Sequence, residues 1–499
     1  DPVTGEVKRD FDINPYSYSM NTSRALDANT YYTRNYAPFN IFNELESNYM
    51  ELGVNDFRVT GSLKYKPIKK VELTLLAGVQ NTTTSQEHFI LDNSNQAMAY
   101  RAMDDAKIRE KNPFLYKDPD NIYALPITVL PDGGIYERTD RNMYKWDTRI
   151  TAGYNDVFAE DHIMNLYGGM ETNYVDRHKT WFRGWGMQYT MGEIPNYAYQ
   201  VFKKGSEENT DYYTLENKHE RSAAFFANAT YSYKGRYTLN GTYRYEGTNR
   251  MGKSRAARWL PTWNVSGSWN VHEEEFFEKF EPTLSHLSLR ASYSLTAERP
   301  SISNAIVEIG SKNPWRPFAS VRESMLYIKN LANEDLTYEK KHEFNLGLSA
   351  GFLNNRINLE VDWYKRNNYD LIGYATTQGI GGQIQKLGNI ASMKSNGIEF
   401  SITSTNIKTQ DFTWSTNFIY SHTHNKVTDL QTTSNVMDLV SGTGFARKGY
   451  PVGALFSIPF KGLNNEGLPM FLDQDGDVTT TGIYFQESDK DKLNSLEYS

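Results

Sequence analysis

A chain of 499 residues with 39% hydrophobic and 23% charged side chains can build several ordinary domains or one large closed architecture. The net charge of −7 offers no basic surface for nucleic acid, and the absence of Cys removes disulfide frameworks and thiolate metal sites. No run approaches the ~18 uncharged apolar residues of a membrane helix, which excludes helical spans but not a barrel, whose strands need only ~9–11 residues with alternate ones apolar.

The first alternating run is Phe57, Val59, Gly61, Leu63 and Tyr65, followed by a turn at Lys66 to Lys70 and an answering run Leu73, Leu75, Ala77 and Val79. Asn95 to Asn112 has helical composition and predicts a helix inside a loop. Tyr144, Trp146, Thr148, Ile150, Ala152 and Tyr154 alternate next, answered by Met164, Leu166, Gly168 and Met170. Phe225 to Tyr233 turns at Lys234-Gly235 into Tyr237 to Tyr245. Trp263, Val265, Gly267, Trp269 and Val271 form a further run, then Leu287 to Leu295. Phe344 to Phe352 turns at Leu353 to Arg356 into Ile357, Leu359, Val361 and Trp363. Ile398, Phe400 and Ile402 turn at Asn406 to Asp411 into Phe412, Trp414, Thr416, Phe418 and Tyr420. Period two over this length predicts about twelve strands, each with one face on an apolar phase.

The connections are asymmetric. Turns within a pair are short, whereas Asn81 to Met143, Asp176 to Glu220, Ala297 to Lys340 and Asn367 to Lys394 read as long loops. One-sided loop length is expected of an outer-membrane barrel, with short periplasmic turns and long extracellular loops. The 35 Tyr then have a reason, because Tyr231, Tyr233, Tyr243, Tyr245, Trp363 and Tyr420 fall where interfacial girdles need rings with a polar edge. The mean hydropathy of −0.65 is compatible, since half of each strand is polar. Phe344 to Phe352 would face lipid, while Asn345, Ser349, Asn358, Glu360 and Asp362 would face a watery or plugged lumen.

Several motifs invite sharper readings. Asp473 to Val478, DQDGDV, places Gly476 fourth where a calcium loop needs it sixth, so a hairpin turn is expected. His272-Glu273 lacks the second His of a zinc-protease helix and reads as a short turn at the barrel rim. His422 and His424 share a strand face and are too few for a zinc site. Gly379 to Gly382, GIGG, reads as a flexible loop. Lys179 to Tyr189, KTWFRGWGMQY, falls in a long loop region. Its Trp181, Phe182, Trp185 and Tyr189 are candidate substrate contacts, by stacking on a sugar or gripping a peptide. No arrangement suggests catalysis, a metal or a cofactor.

Six stretches carry a family resemblance. RSAAFFANATYSYKGRYTLNGTYRYEGTNRMG (221–252), LPTWNVSGSWNVHEEEFF (260–277), LSLRASYSLTAERPSI (287–302), the hairpin 333–372, LGNIASMKSNGIEFSI (387–402) and the stretch 451–478 together resemble, in order, the barrel of SusC/RagA-type TonB-dependent transporters. Glu246 stands where that family more usually has Asp, and Thr296-Ala297-Glu298 replaces Thr-Gly-Asn. The resemblance implies an all-β transmembrane antiparallel barrel of about 22 strands in the bacterial outer membrane. It places residues 1–499 as a partial barrel domain, with the N-terminal plug and the C-terminal strands outside this stretch. It implies TonB-dependent import of an oligosaccharide or peptide with a SusD-like lipoprotein, and a TonB complex acting through a plug segment. The opening DPVTGEVKRD, with neither Met nor an apolar signal core, fits an excerpted or processed start. A soluble or surface-exposed β-rich glycan-binding protein or adhesin is the alternative, and it would explain the hydropathy but not the one-sided loops.

Overall fold

The computed structural model describes residues 41–121, 123–281, 283–298, 307–312, 325–379, 382–432, 446–473, 476–480 and 497–498. Twelve long strands form one continuous sheet: β1 (Asn48–Ile68), β2 (Val71–Ile90), β3 (Gly134–Phe158), β4 (His162–Gln188), β5 (Tyr213–Tyr233), β6 (Tyr237–Thr248), β7 (Trp259–Asn270), β8 (Leu284–Glu298), β9 (Glu339–Phe352), β10 (Ile357–Thr376), β11 (Gln385–Lys408) and β12 (Thr413–Leu430). They pair antiparallel in chain order from β1 to β12.

The turns at one end are tight for local reasons. Lys234 and Gly235 both take positive φ, 53° and 70°, and return the chain so that Tyr233 faces Tyr237. The β9–β10 turn puts Leu353, Asn354 and Asn355 at φ 53°, 59° and 60°. Asn tolerates that region, while Leu353 is held there against its own preference by strands that already fix Phe352 opposite Ile357.

Register confirms the two faces. Residues directly opposite share a face, so Leu348 lies in one row with Leu289 and Val361, and Val361 with Phe400 and Tyr420. The row above runs Leu346, Trp363, Ile398 and His422. At Lys365, Asn396 and His424 this face turns polar, which marks the outer edge of the apolar belt. The two histidines thus sit at and just above that boundary on the outward face. The belt is bare: Phe57 and Leu63 are 67% and 66% exposed. A soluble protein would forgo ~1.5–3 kcal/mol for each such side chain left in water.

Aromatic rings border the belt on both sides. Near the tight turns, Phe158 stacks on His162 at 5.7 Å, and Tyr237 on Trp269 at 6.3 Å. Towards the other end Trp146 stacks on Tyr174 at 5.8 Å. There too Trp263, Tyr293, His342 and Tyr369 form a chain of contacts between 5.3 and 5.7 Å. The opposite face carries polar rungs, such as the Asn228 amide donating to Thr242 at 3.0 Å and the Asn240 amide to Thr230 at 2.6 Å.

Several strands run far past the membrane. Crossing needs ~9–11 residues, yet β3, β4 and β11 have 25, 27 and 24. The expected loop limits therefore move outward. The loop from Asn81 to Met143 shrinks to 91–133 and that from Asp176 to Glu220 to 189–212. That from Asn367 to Lys394 shrinks to a link of 377–384, of which Ile380 and Gly381, inside GIGG, lie outside the described residues. Much of the Ala297–Lys340 loop and the opening ten residues also lie outside them. Val271 does not continue β7 but starts a short 3₁₀ turn, Val271–Glu273, where its side chain is buried at the rim. Around DQDGDV the Gly476 and Asp477 amides donate to Asp473 at 3.3 and 2.8 Å, and Phe471 pairs with Thr479. That closes a hairpin as expected, with Gln474 and Asp475 outside the described residues.

The two faces make a direct test. Leu348→Arg sets a charge on the lipid row and should cost ~2–4 kcal/mol in folding into vesicles. Ser349→Arg, one residue on and facing the lumen, should change stability by less than about 1 kcal/mol. Equal effects in denaturant titrations would show that the faces are misassigned.

Candidate functional site

The site is the lumen wall and its outer mouth. Low on the wall, Arg149 pairs with Glu171 at 2.7 Å, and Arg244 with Glu171 and, at 2.7 Å, with Glu246. These belong to a 600 Å³ polar recess that continues upward past Arg177 and Glu220. Partly exposed pairs contribute only ~0–1 kcal/mol each, so this network shapes and charges the wall more than it stabilises it.

Above the membrane, two loops fold over the lumen side of the wall. In the 91–133 loop lie α1 (Asn95–Arg101) and α2 (Ala106–Lys111). The single helix expected over Asn95 to Asn112 is split. Asp105 caps the second helix by accepting from Lys107 at 2.8 Å, and the Asn112 amide ties both helices by donating to Ala99 and Ala102, each at 2.9 Å. Ile90, Ala97, Leu130 and Ile135 are wholly buried together, with Tyr100 and Trp185 packed against them. α3 (Gln200–Glu208), from the 189–212 loop, joins the same body. Its Val201 packs with Tyr116 and Val129, and its Lys203 pairs with Asp118 at 3.5 Å. A second body joins 251–260 to 333–338, where Met251, Leu260 and Tyr338 are buried together and the Asn389 amide donates to Thr337 and Asp370.

Three of the four aromatic candidates are not loop residues as the sequence suggested. Trp181, Phe182 and Trp185 stand on the outer part of β4, because its pairing with β3 and β5 continues past Asp176. Tyr189 follows in a 3₁₀ turn. Strand alternation separates them. Trp181 and Trp185 are on the lumen face, and Phe182 points outward, 43% exposed. Arg183 lies over both indoles, at 5.4 and 5.5 Å, and pairs with Glu137 at 2.5 Å. Trp185 meets Tyr100 edge-on at 5.1 Å, and the Tyr189 hydroxyl donates to the Ile135 carbonyl at 2.8 Å. Trp185 therefore holds the 91–133 loop onto the wall, Tyr189 clasps the start of β3, and Trp181 is the lumen-side ring nearest the charged wall below. The lumen cations Arg141, Arg177 and Lys218 escaped sequence reasoning. Their shared face follows from cross-strand register, which extends the period-two pattern where apolar residues no longer mark it.

The outward belt, the polar lumen and the one-sided loops define an outer-membrane β-barrel. The chain belongs to the TonB dependent receptor-like, beta-barrel family, whose model matches residues 5–459. It is 30% identical over 212 residues to the TonB-dependent receptor SusC of Bacteroides thetaiotaomicron, covering 42% of this chain and 21% of SusC. It is 24% identical over 308 residues to the TonB-dependent receptor P26 of Formosa agariphila, covering 61% of this chain and 30% of P26. Among solved structures, the RagAB peptide importer in its closed-closed state superposes with a TM-score of 0.69 at 20% identity, covering 93% of this chain and 46% of that one. That likeness concerns the fold. The chain spans less than half the length of each of these relatives.

Loop packing should respond to alkali. Burial pushes the phenol pKa of Tyr100, Tyr116 and Tyr189 above its ordinary value. A raised folded-state value means the packing is at full strength below about pH 10 and is lost as pH rises through the raised values. Nicking of 91–133 by an alkali-tolerant protease should therefore be faster at pH 11 than at pH 8, with Tyr100→Phe reducing the difference. A rate ratio unchanged by that substitution would count against Tyr100 as the clasp.

Proposed function

We propose that the chain is barrel wall from a TonB-dependent importer that takes up a nutrient, an oligosaccharide or a peptide, across the outer membrane. The observation that carries this is the built outer mouth. Strands outrun the bilayer and the 91–133 and 189–212 loops pack over a charged lumen wall. Such a mouth suits capture followed by gated passage better than free diffusion. Import needs binding and gated passage rather than covalent chemistry, and the described lumen wall supplies binding groups.

Energy would come from a TonB complex acting through a plug segment, since the outer membrane holds no ATP. A SusD-like lipoprotein would close over the loops. The sheet supports a partial-barrel reading of residues 1–499. β1 and β12 each have one edge without a strand partner among the described residues, and lipid tolerates no open edge. About ten further strands would complete a barrel of about 22, wide enough to hold a plug. Trp181, Phe182, Trp185 and Tyr189 stay candidate substrate contacts, with Trp181 the best placed. The soluble adhesin reading has no use for the bare lipid belt.

The test is uptake by cells carrying the full-length protein, supplied with labelled oligosaccharides and peptides. Accumulation should collapse on deleting the gene and on adding a protonophore, and a surface lipoprotein should co-purify in mild detergent. Uptake insensitive to the protonophore would overturn TonB coupling.

A further inference from the structure

We propose that the outer lumen wall binds an acidic oligosaccharide, a refinement that rests on the import reading above. The argument begins with register. Arg141 on β3 lies directly opposite Lys179 on β4, and Arg177 on β4 directly opposite Lys218 on β5. Both pairs lie on the lumen face, two residues apart on β4, and well above the apolar belt. Like charges directly opposite each other destabilise a sheet. Here two such pairs stand side by side.

Carboxylates nearby do not balance them. Glu216 pairs with Lys179 at 3.5 Å. Glu220 is shared among three cations, Arg177 at 3.1 Å, Lys218 at 3.7 Å and Arg250 at 3.8 Å. Arg141 donates to the neutral Gln86 side chain at 3.2 Å. Among the described residues, the four strand cations Arg141, Lys179, Arg177 and Lys218 thus face two carboxylates, Glu216 and Glu220, in a chain whose net charge is −7. The surplus is local, directed into the lumen and exposed to water, which suits an anionic guest.

The ring above the patch selects among anions. Trp181 is two residues beyond Lys179 on the same face, with Arg183 over its indole at 5.4 Å. An indole beside guanidinium and ammonium groups fits a sugar ring bearing carboxylate or sulfate. The ring stacks, and the acid groups meet the cations. Hydrogen-bonded anions would also offset the repulsion within the two pairs.

The test uses the full-length protein in detergent, with oligogalacturonate, a maltooligosaccharide of the same length and oligoglutamate as probes in calorimetry. Oligogalacturonate should bind, and should weaken about tenfold or more in Arg141→Gln/Lys179→Gln, with a shallower salt dependence. Trp181→Ala should weaken it too, with its salt dependence unchanged. Without ligand, Arg141→Gln/Lys179→Gln should melt higher than the parent, because a like-charge pair is relieved; that readout also shows that the variant folds. Equal or tighter binding of the neutral maltooligosaccharide overturns the acidic cargo while leaving import, tested by its protonophore sensitivity, intact. Preference for oligoglutamate overturns the sugar in favour of a peptide. Failure of all three probes to bind overturns the site.

Discussion

In hydrocarbon, a backbone N–H or C=O without a partner costs several kcal/mol, and water is not there to supply one. That single constraint organises the molecule. Every strand from β2 to β11 is hydrogen-bonded on both sides, and each connects to its neighbour in chain order. Once backbone pairing is settled this way, side chains have only two directions to point. The lipid side takes Leu, Val, Ile, Phe and small residues, and the lumen side takes Asn, Ser, Thr and charged groups.

The hydrophobic effect acts elsewhere in this protein than in a soluble one. It needs water to drive apolar groups together, and the belt has none. The fully buried residues accordingly collect in the outer bodies: Ile90, Ala97, Leu130 and Ile135 in one, Met251 in the other. The wall is held by pairing and the mouth by packing. Tyr100, Trp185 and Tyr189 sit where the two regimes meet, with rings that pack and, at Tyr189, a hydroxyl that bonds to the start of β3. Alternation on β4 then leaves Trp181 beside the cations.

The lumen wall departs from the economy of the rest. Elsewhere charges pair across strands, as Arg149 does with Glu171 and Arg366 with Glu343. At the outer mouth Arg183 still pairs with Glu137, but two further rows set cation against cation, Arg141 against Lys179 and Arg177 against Lys218. Repulsion kept in a surface that packing does not require is the mark of a place where something else arrives. The import reading and the acidic-cargo reading both draw on that surface, but separately, since a neutral guest would use the same mouth without the charge.

The sequence by itself determined which residues meet lipid and which meet the lumen, because a period of exactly two assigns every side of a strand from any one residue. Phe344 to Phe352 and the short turns at Lys234-Gly235 and Leu353 to Arg356 were readable for that reason. Only the tertiary structure decided where strands end. β4 outruns the membrane to Gln188, and Trp181, Phe182 and Trp185, read as loop residues, belong to it, because pairing with β3 and β5 persists where the outward face is no longer apolar. It also decided which side chains meet across strands. The opposition of Arg141 to Lys179 joins residues 38 positions apart on β3 and β4. No local pattern encodes that meeting, since it depends on the register through which every intervening backbone bond is satisfied.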